Sequence, residues 1–291
     1  MCSQGLSNEG FKEIVNPLTP YMIADFFISD EILDKNIWRE RFDKSLIKGE
    51  DLIRTMNYDK VKDYDIVQCQ INLLSYFYFD ILPHLGNKKI ILLTSQYKYP
   101  GLRESPLTED ILNDDRIFMW VSQNHIYKNS KCMNFPFGIH QDKVNFYYKF
   151  IKNHKVRKLR EIDKLKLTIQ DVLPDEHIRI QYPLLGIDSG EYLYYYDFLK
   201  SLLECKFVLS PEGDRPDCYR HYEAIGLGCV PICNINLSSI FGDSMILADG
   251  DEMTSYIFNG IVSKKWKKPN KNIIYSEFWE RRIRDKVRKM D

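Results

Sequence analysis

The chain has 291 residues, 44% of them apolar, and 41 acidic side chains balanced by 41 basic ones. That length accommodates two domains with a sizeable core, and the composition excludes a disordered chain. Zero net charge supplies no global attraction for nucleic acid, and no window approaches about 18 uninterrupted apolar residues, so neither a nucleic-acid partner nor a membrane span is expected.

The N-terminus, MCSQGLSNEGFKEIVNPLTP, lacks a basic segment followed by an apolar core, so no secretory leader is read there. Residues 31–56 carry Ile32, Leu33, Ile37, Trp38 and Phe42 at broken helical spacing and are expected to be mainly helical. Tyr64 to Cys69 reads as a strand, and the apolar, aromatic run Leu73 to Leu82 as a buried helix closed by Pro83. Ile90 to Thr94 is a continuous apolar run of the kind buried in parallel sheets. Arg116 to Ser122 and Asn134 to Ile139 are further strand candidates. Strands alternating with helical segments imply a Rossmann-like first half whose strand-following loops hold ligands: Ile71-Asn72, Ser95 to Tyr97, Gln123 to His125 and Gly138 to Asp142. No GxGxxG or GxxxxGK follows any of these strands, which removes support for dinucleotide, methyltransferase and NTPase readings. The basic stretch Asn153 to Arg160, NHKVRKLR, lacks apolar periodicity and reads as a solvated interdomain linker.

The densest information lies between Lys206 and Ile232, KFVLSPEGDRPDCYRHYEAIGLGCVPI. Phe207 to Leu209 is a short apolar strand, followed by a polar loop with Ser210-Pro211 and Gly213. Asp217 is a candidate N-cap for a helix from Cys218 to Leu227, with Gly228 placed to stop it and Cys229 to Ile232 as the next strand. This β-loop-α-β order implies adjacent parallel strands. Arg220, Glu223 and Leu227 share a helix face. A guanidinium beside a helix N-terminus suits a phosphate, and a carboxylate one turn deeper suits a ribose diol. The competing reading is a solvated Arg–Glu pair on the helix surface.

Ser210-Pro211, Gly213, Arg220-His221-Tyr222-Glu223-Ala224 and Gly228-Cys229-Val230-Pro231-Ile232 together resemble the donor-binding signature of exostosin-like glycosyltransferases. Tyr195 to Phe207 resembles the helix that leads into it, while Trp120 to His125 and Pro136 to Ile139 are loosely similar to further family segments. The resemblance is to soluble, minimal versions such as those of large DNA viruses. It implies an α/β chain of GT-B type, with two Rossmann-like domains and parallel sheets facing across a cleft. Residues 1–150 then form an acceptor-side domain, 151–275 the nucleotide-sugar domain, and 276–291 a C-terminal helix packing back toward the first. The implied activity is inverting transfer of a sugar, from UDP in the first instance, to a hydroxyl on an oligosaccharide or glycoprotein glycan. No metal or other cofactor is implied. Donor binding is assigned to Ser210, Gly213, Arg215, Tyr219, Arg220 and Glu223, and the catalytic base to His125, with His140 and Asp142 as alternatives. Two other functions stay open: a non-catalytic carbohydrate- or nucleotide-binding module, and a metal-dependent GT-A-type transferase using Asp249 and Asp251. Asp249-Gly250-Asp251 also reads as the acidic start of a helix near Glu252.

The seven cysteines are odd in number, scattered and without a CxxC pair, so disulfides and structural zinc are not expected, and a cytoplasmic setting (host cytoplasm for a viral protein) is. In YSEFWERRIRDKVRKMD, Ser276 reads as a cap and Trp279, Ile283, Val287 and Met290 form one apolar stripe of a basic amphipathic helix. Packing on the protein is the expected role of that stripe, with membrane docking the alternative.

Overall fold

The computed structural model describes residues 9–28, 58–95, 102, 104–123, 129–154, 195–203, 205–213, 215–259 and 265–289. The expected helical region 31–56, the loop residue His125 and the basic residues 155–160 lie outside the described residues. The chain is α/β, with a five-stranded and a three-stranded sheet, both parallel. It divides into two compact units: Pro17–Pro136 with Glu280–Asp291, and Met1–Asn16 with Phe137–Trp279.

In the first unit, β1 (Phe26–Ile28), β2 (Ile66–Gln70), β3 (Ile90–Ser95), β4 (Ile117–Gln123) and β5 (Cys132–Phe135) lie in that order across the sheet. Apolar side chains dominate the middle strands because both faces are covered: β2 and β3 are buried at every position. Ile28, Val67, Leu92 and Trp120 join Phe77, Ile81, Leu82 and Ile111 in one core. Toward the carboxyl ends of the strands the buried residues turn polar. The Trp120 indole donates to Thr94 Oγ1, Thr94 donates to Ser122, and the Gln68 amide donates to Ser95, linking these groups across three strands.

Two expectations meet differences here. The helical run from Ile71 continues through Pro83 to Leu85 instead of stopping at Leu82. A wide π-helical turn, Phe77–Ile81, releases the register, and Pro83 then sits in the first turn of a tight 3₁₀ segment, where its missing N–H costs nothing. The last strand, β5, starts at Cys132 and ends at Phe135, ahead of the span read from the sequence. The C-terminal half of the Ser276–Arg288 helix belongs to this unit: Arg284 donates to both carboxylate oxygens of Asp25 and to Glu280, while Asp25 accepts the backbone N–H that opens β2. Ile283 of the apolar stripe is fully buried.

The second unit carries β6 (Phe207–Leu209), β7 (Val230–Cys233) and β8 (Ile246–Leu247), again in chain order. Phe207, Leu209, Val230 and Ile232 pack with Met253 and Tyr256 of the Gly250–Asn259 helix. The N-terminal residues fold in here as well. Val15 donates to Ile274 O and accepts from the N–H of Ile139, and Ser276 donates its hydroxyl to the Lys12 and Glu13 carbonyls instead of capping its own helix. Gly138 makes that approach possible: its φ is +83°, and a Cβ there would lie 2.1 Å from the Val15 carbonyl oxygen. Among the described strands neither sheet reverses its order, so neither offers a topological switch point.

Candidate functional site

After β6 the chain runs through Ser210 to Asp217 and enters the Tyr219–Leu227 helix, which returns to β7 at a parallel register of Phe207 with Val230. Gly228 ends that helix in the left-handed region, φ +93°, with the Cys229 N–H reaching back to the Ala224 carbonyl. At the other end Cys218 is the N-cap; its side chain makes no capping hydrogen bond and instead faces the Pro211 carbonyl and the His221 ring. Asp217, the expected cap, points elsewhere. It is fully buried, and its Oδ2 accepts from the Tyr222 hydroxyl at 2.6 Å and from the Phe137 N–H at 2.8 Å. Burial pushes this carboxyl up to about 6, against the pull of His221 and of those two hydrogen bonds. The reason for the difference is the stronger pair of donors: one lies five residues ahead, and the other is reached only by the fold.

Glu223 is the central group. It is 5% exposed, and its Oε1 accepts a hydrogen bond from the Tyr195 hydroxyl at 2.8 Å. Oε2 carries no hydrogen bond or ion pair among the described residues. Burial raises the carboxyl above its ordinary range, while the Tyr195 bond and the positive charges of Lys143 and Arg220 draw it back. A solvated pair with Arg220 is therefore not what this residue forms. Arg220, half-buried one turn earlier, contributes its charge to the Glu223 and Cys218 neighbourhoods.

The helix is held from behind by Tyr147, whose buried hydroxyl donates to the carbonyls of Tyr222 and Glu223. Gly226 leaves room for it: a Cβ at that position would fall 2.0 Å from the Tyr147 hydroxyl. A glycine inside a helical pattern was the available signal for this close approach.

The other sequence candidates fall into distinct groups. Ser210 is fully buried and committed to His221, its hydroxyl 2.6 Å from Nδ1, while Nε2 lies 3.2 Å from the Pro216 carbonyl. A carbonyl only accepts, so Nε2 carries a proton and the ring is fixed by the loop. Gly213 belongs to the same loop, donating its N–H to Arg215 O, and the neighbouring Glu212 is tied to Asn234. Arg215, Tyr219 and His140 come together around Phe137. The guanidinium lies 4.4 Å from the Phe137 ring centroid, Tyr219 packs on that ring at 5.2 Å, and His140 meets Tyr219 edge-on at 4.9 Å. Asp142 is exposed and lies 3.7 Å from His140 Nδ1, which accepts the Asp142 N–H. Burial lowers the His140 pKa, with Lys143 and Arg215 acting in the same direction and Asp142 opposing them. His140, Asp142 and all six donor-site candidates thus belong to one unit. The participants not singled out from the sequence as site residues are Tyr195, Lys143, Phe137 and Tyr147.

Asp249 accepts the Glu252 N–H at 2.8 Å and so caps the Gly250–Asn259 helix, with Asp251 in its first turn. Among the described residues, no group of three or more His, Cys, Asp or Glu side chains is arranged to hold a metal ion. The six described cysteines are free thiols. No helix of the described residues is long and apolar enough to cross a membrane.

No model of a known protein family matches the chain, and no curated protein matches it.

Proposed function

We propose that the chain is a glycosyltransferase that takes its sugar from a nucleotide-sugar donor, with UDP as the first candidate nucleotide. The observation that carries this reading is Glu223, a buried carboxylate with one oxygen held by Tyr195 and the other unpartnered among the described residues, one turn inside the Tyr219–Leu227 helix. A ribose diol donates to such a carboxylate, and a diphosphate suits the positive end of the helix dipole and the Arg220 guanidinium of its first turn. As the glycosidic bond breaks, negative charge grows on the leaving diphosphate, and these same groups stabilise it. The acceptor hydroxyl of a glycan attacks the anomeric carbon in a single inverting displacement, giving its proton to a base. His125, His140 and Asp142 are the candidates for that base. The exostosin-like resemblance and a GT-B pairing of the two parallel-sheet units belong to this reading, as does a mechanism without a metal cofactor.

The test is release of UDP or GDP from a panel of UDP-xylose, UDP-galactose, UDP-glucuronate, UDP-N-acetylglucosamine and GDP-sugars. At least one donor is expected to release its nucleotide slowly by hydrolysis without acceptor, and faster by transfer of the sugar to the acceptor when one is present. A protein that gains thermal stability with UDP but releases sugar from none of them is a binding module.

A further inference from the structure

We propose that Tyr195 is a positioning residue that makes Glu223 a reader of the ribose diol, so that the site distinguishes ribonucleotides from 2′-deoxyribonucleotides. This role rests on the nucleotide-sugar reading given above. The geometry that points to it is a carboxylate constrained on one side only. Tyr195 lies on the Tyr195–Leu202 helix, and its hydroxyl donates to Glu223 Oε1 at 2.8 Å. A carboxylate buried to 5% exposure and rotating freely would present either oxygen, at any angle, to a ligand. With Oε1 held, the plane of the group is set and Oε2 is left for an incoming hydroxyl.

Tyr195 is itself held from several directions. The Lys143 ammonium lies 4.6 Å from its ring centroid, the Phe146 ring packs at 5.6 Å, and the Phe198 ring stacks at 6.3 Å. The ammonium over the ring face attracts it electrostatically and helps to hold the phenol in place. Tyr195 therefore acts through Glu223, in the way that a residue behind a ligand-binding group orients it. A second consequence concerns protonation. The ionised carboxylate is the stronger acceptor for a diol hydroxyl, and the Tyr195 bond works against the rise that burial imposes on Glu223.

The experiment is calorimetric titration of the full chain with UDP and with 2′-deoxy-UDP, for wild type and Tyr195→Phe, with GDP and 2′-deoxy-GDP used in the same way if guanine is the preferred base. Wild type is expected to bind the ribonucleotide about tenfold more tightly than its deoxy analogue, as a lost hydrogen bond to a charged group implies. Tyr195→Phe keeps the ring and its packing. It should weaken ribonucleotide binding about fivefold, leave deoxynucleotide binding nearly unchanged and so collapse the ratio. Loss of affinity on acidification should also begin at a higher pH in the variant, a shift that a purely structural role for the phenol does not produce. A variant that keeps the wild-type ratio and pH profile overturns the assignment of Tyr195 alone. Failure of wild type to bind either UDP or GDP overturns the nucleotide-sugar reading and this role with it.

Discussion

Replacing Asp217 with asparagine tests the electrostatics that hold the Tyr219–Leu227 helix in place. The wild-type carboxyl is fully buried with a pKa of about 6, against an ordinary value of 3.8. The folded state therefore binds this proton more tightly than the unfolded chain does, and the contribution of Asp217 to stability falls as pH rises from about 4 to about 6. A displacement of that size corresponds to about 3 kcal/mol between the two limits. Asparagine does not titrate, and its amide oxygen still accepts from the Tyr222 hydroxyl or the Phe137 N–H. The difference in unfolding free energy, variant minus wild type, should thus rise by about 2.4 kcal/mol from pH 4 to pH 7 and then level off, whatever its absolute sign. Urea unfolding followed by tryptophan fluorescence across that range measures the difference, and it cancels the titration of carboxylates common to both proteins. A difference that is flat with pH would refute the assignment of a burial-raised carboxyl to Asp217.

Gly226→Ala places a methyl group 2.0 Å from the Tyr147 hydroxyl and 2.8 Å from Ile274 Cδ1 in a buried contact. The overpacking, about 1–3 kcal/mol, should outweigh the gain in helix propensity of about 1 kcal/mol and lower the melting temperature, with partial recovery on adding Tyr147→Phe. An alanine variant as stable as wild type would show that the helix does not need this close approach. Arg284→Ala should cost about 1 kcal/mol, because the guanidinium is only partly shielded where it meets Asp25 and Glu280. Differential scanning calorimetry reads that loss, and an unchanged melting temperature would show that the C-terminal helix is held by Ile283 and its apolar neighbours alone.

The strand–loop–helix–strand from Phe207 to Cys233 is legible in the sequence because each of its signals is local: a short apolar run, a glycine stop and a second run. Its parallel pairing then follows from connection length. Ile90–Ser95 is legible for the same reason. What escapes is decided by contacts between distant residues. Val15 pairs with Ile274 and Ile139 across more than a hundred residues, and nothing in the periodicity of Glu9 to Asn16 announces it. Asp217 satisfies the local rule for an N-cap, yet Tyr222 and the Phe137 N–H turn it inward. Pro83 satisfies the rule for a helix stop, yet the π-helical turn before it makes room for another tightened turn. In the site, Arg220 and Glu223 were readable from spacing within one helix. Tyr195, which fixes Glu223, sits 28 residues earlier and could not be paired with it by spacing. Ser210 was readable as part of a motif, but its commitment to His221 depends on how the loop closes.

The most direct measurement is UDP affinity by calorimetry for wild type and Glu223→Ala, accompanied by a thermal melt of each. The account predicts that wild type binds UDP, and that the variant stays folded but loses affinity by at least about tenfold, as removal of a charged diol acceptor implies. A folded Glu223→Ala protein that binds UDP as wild type does would contradict it.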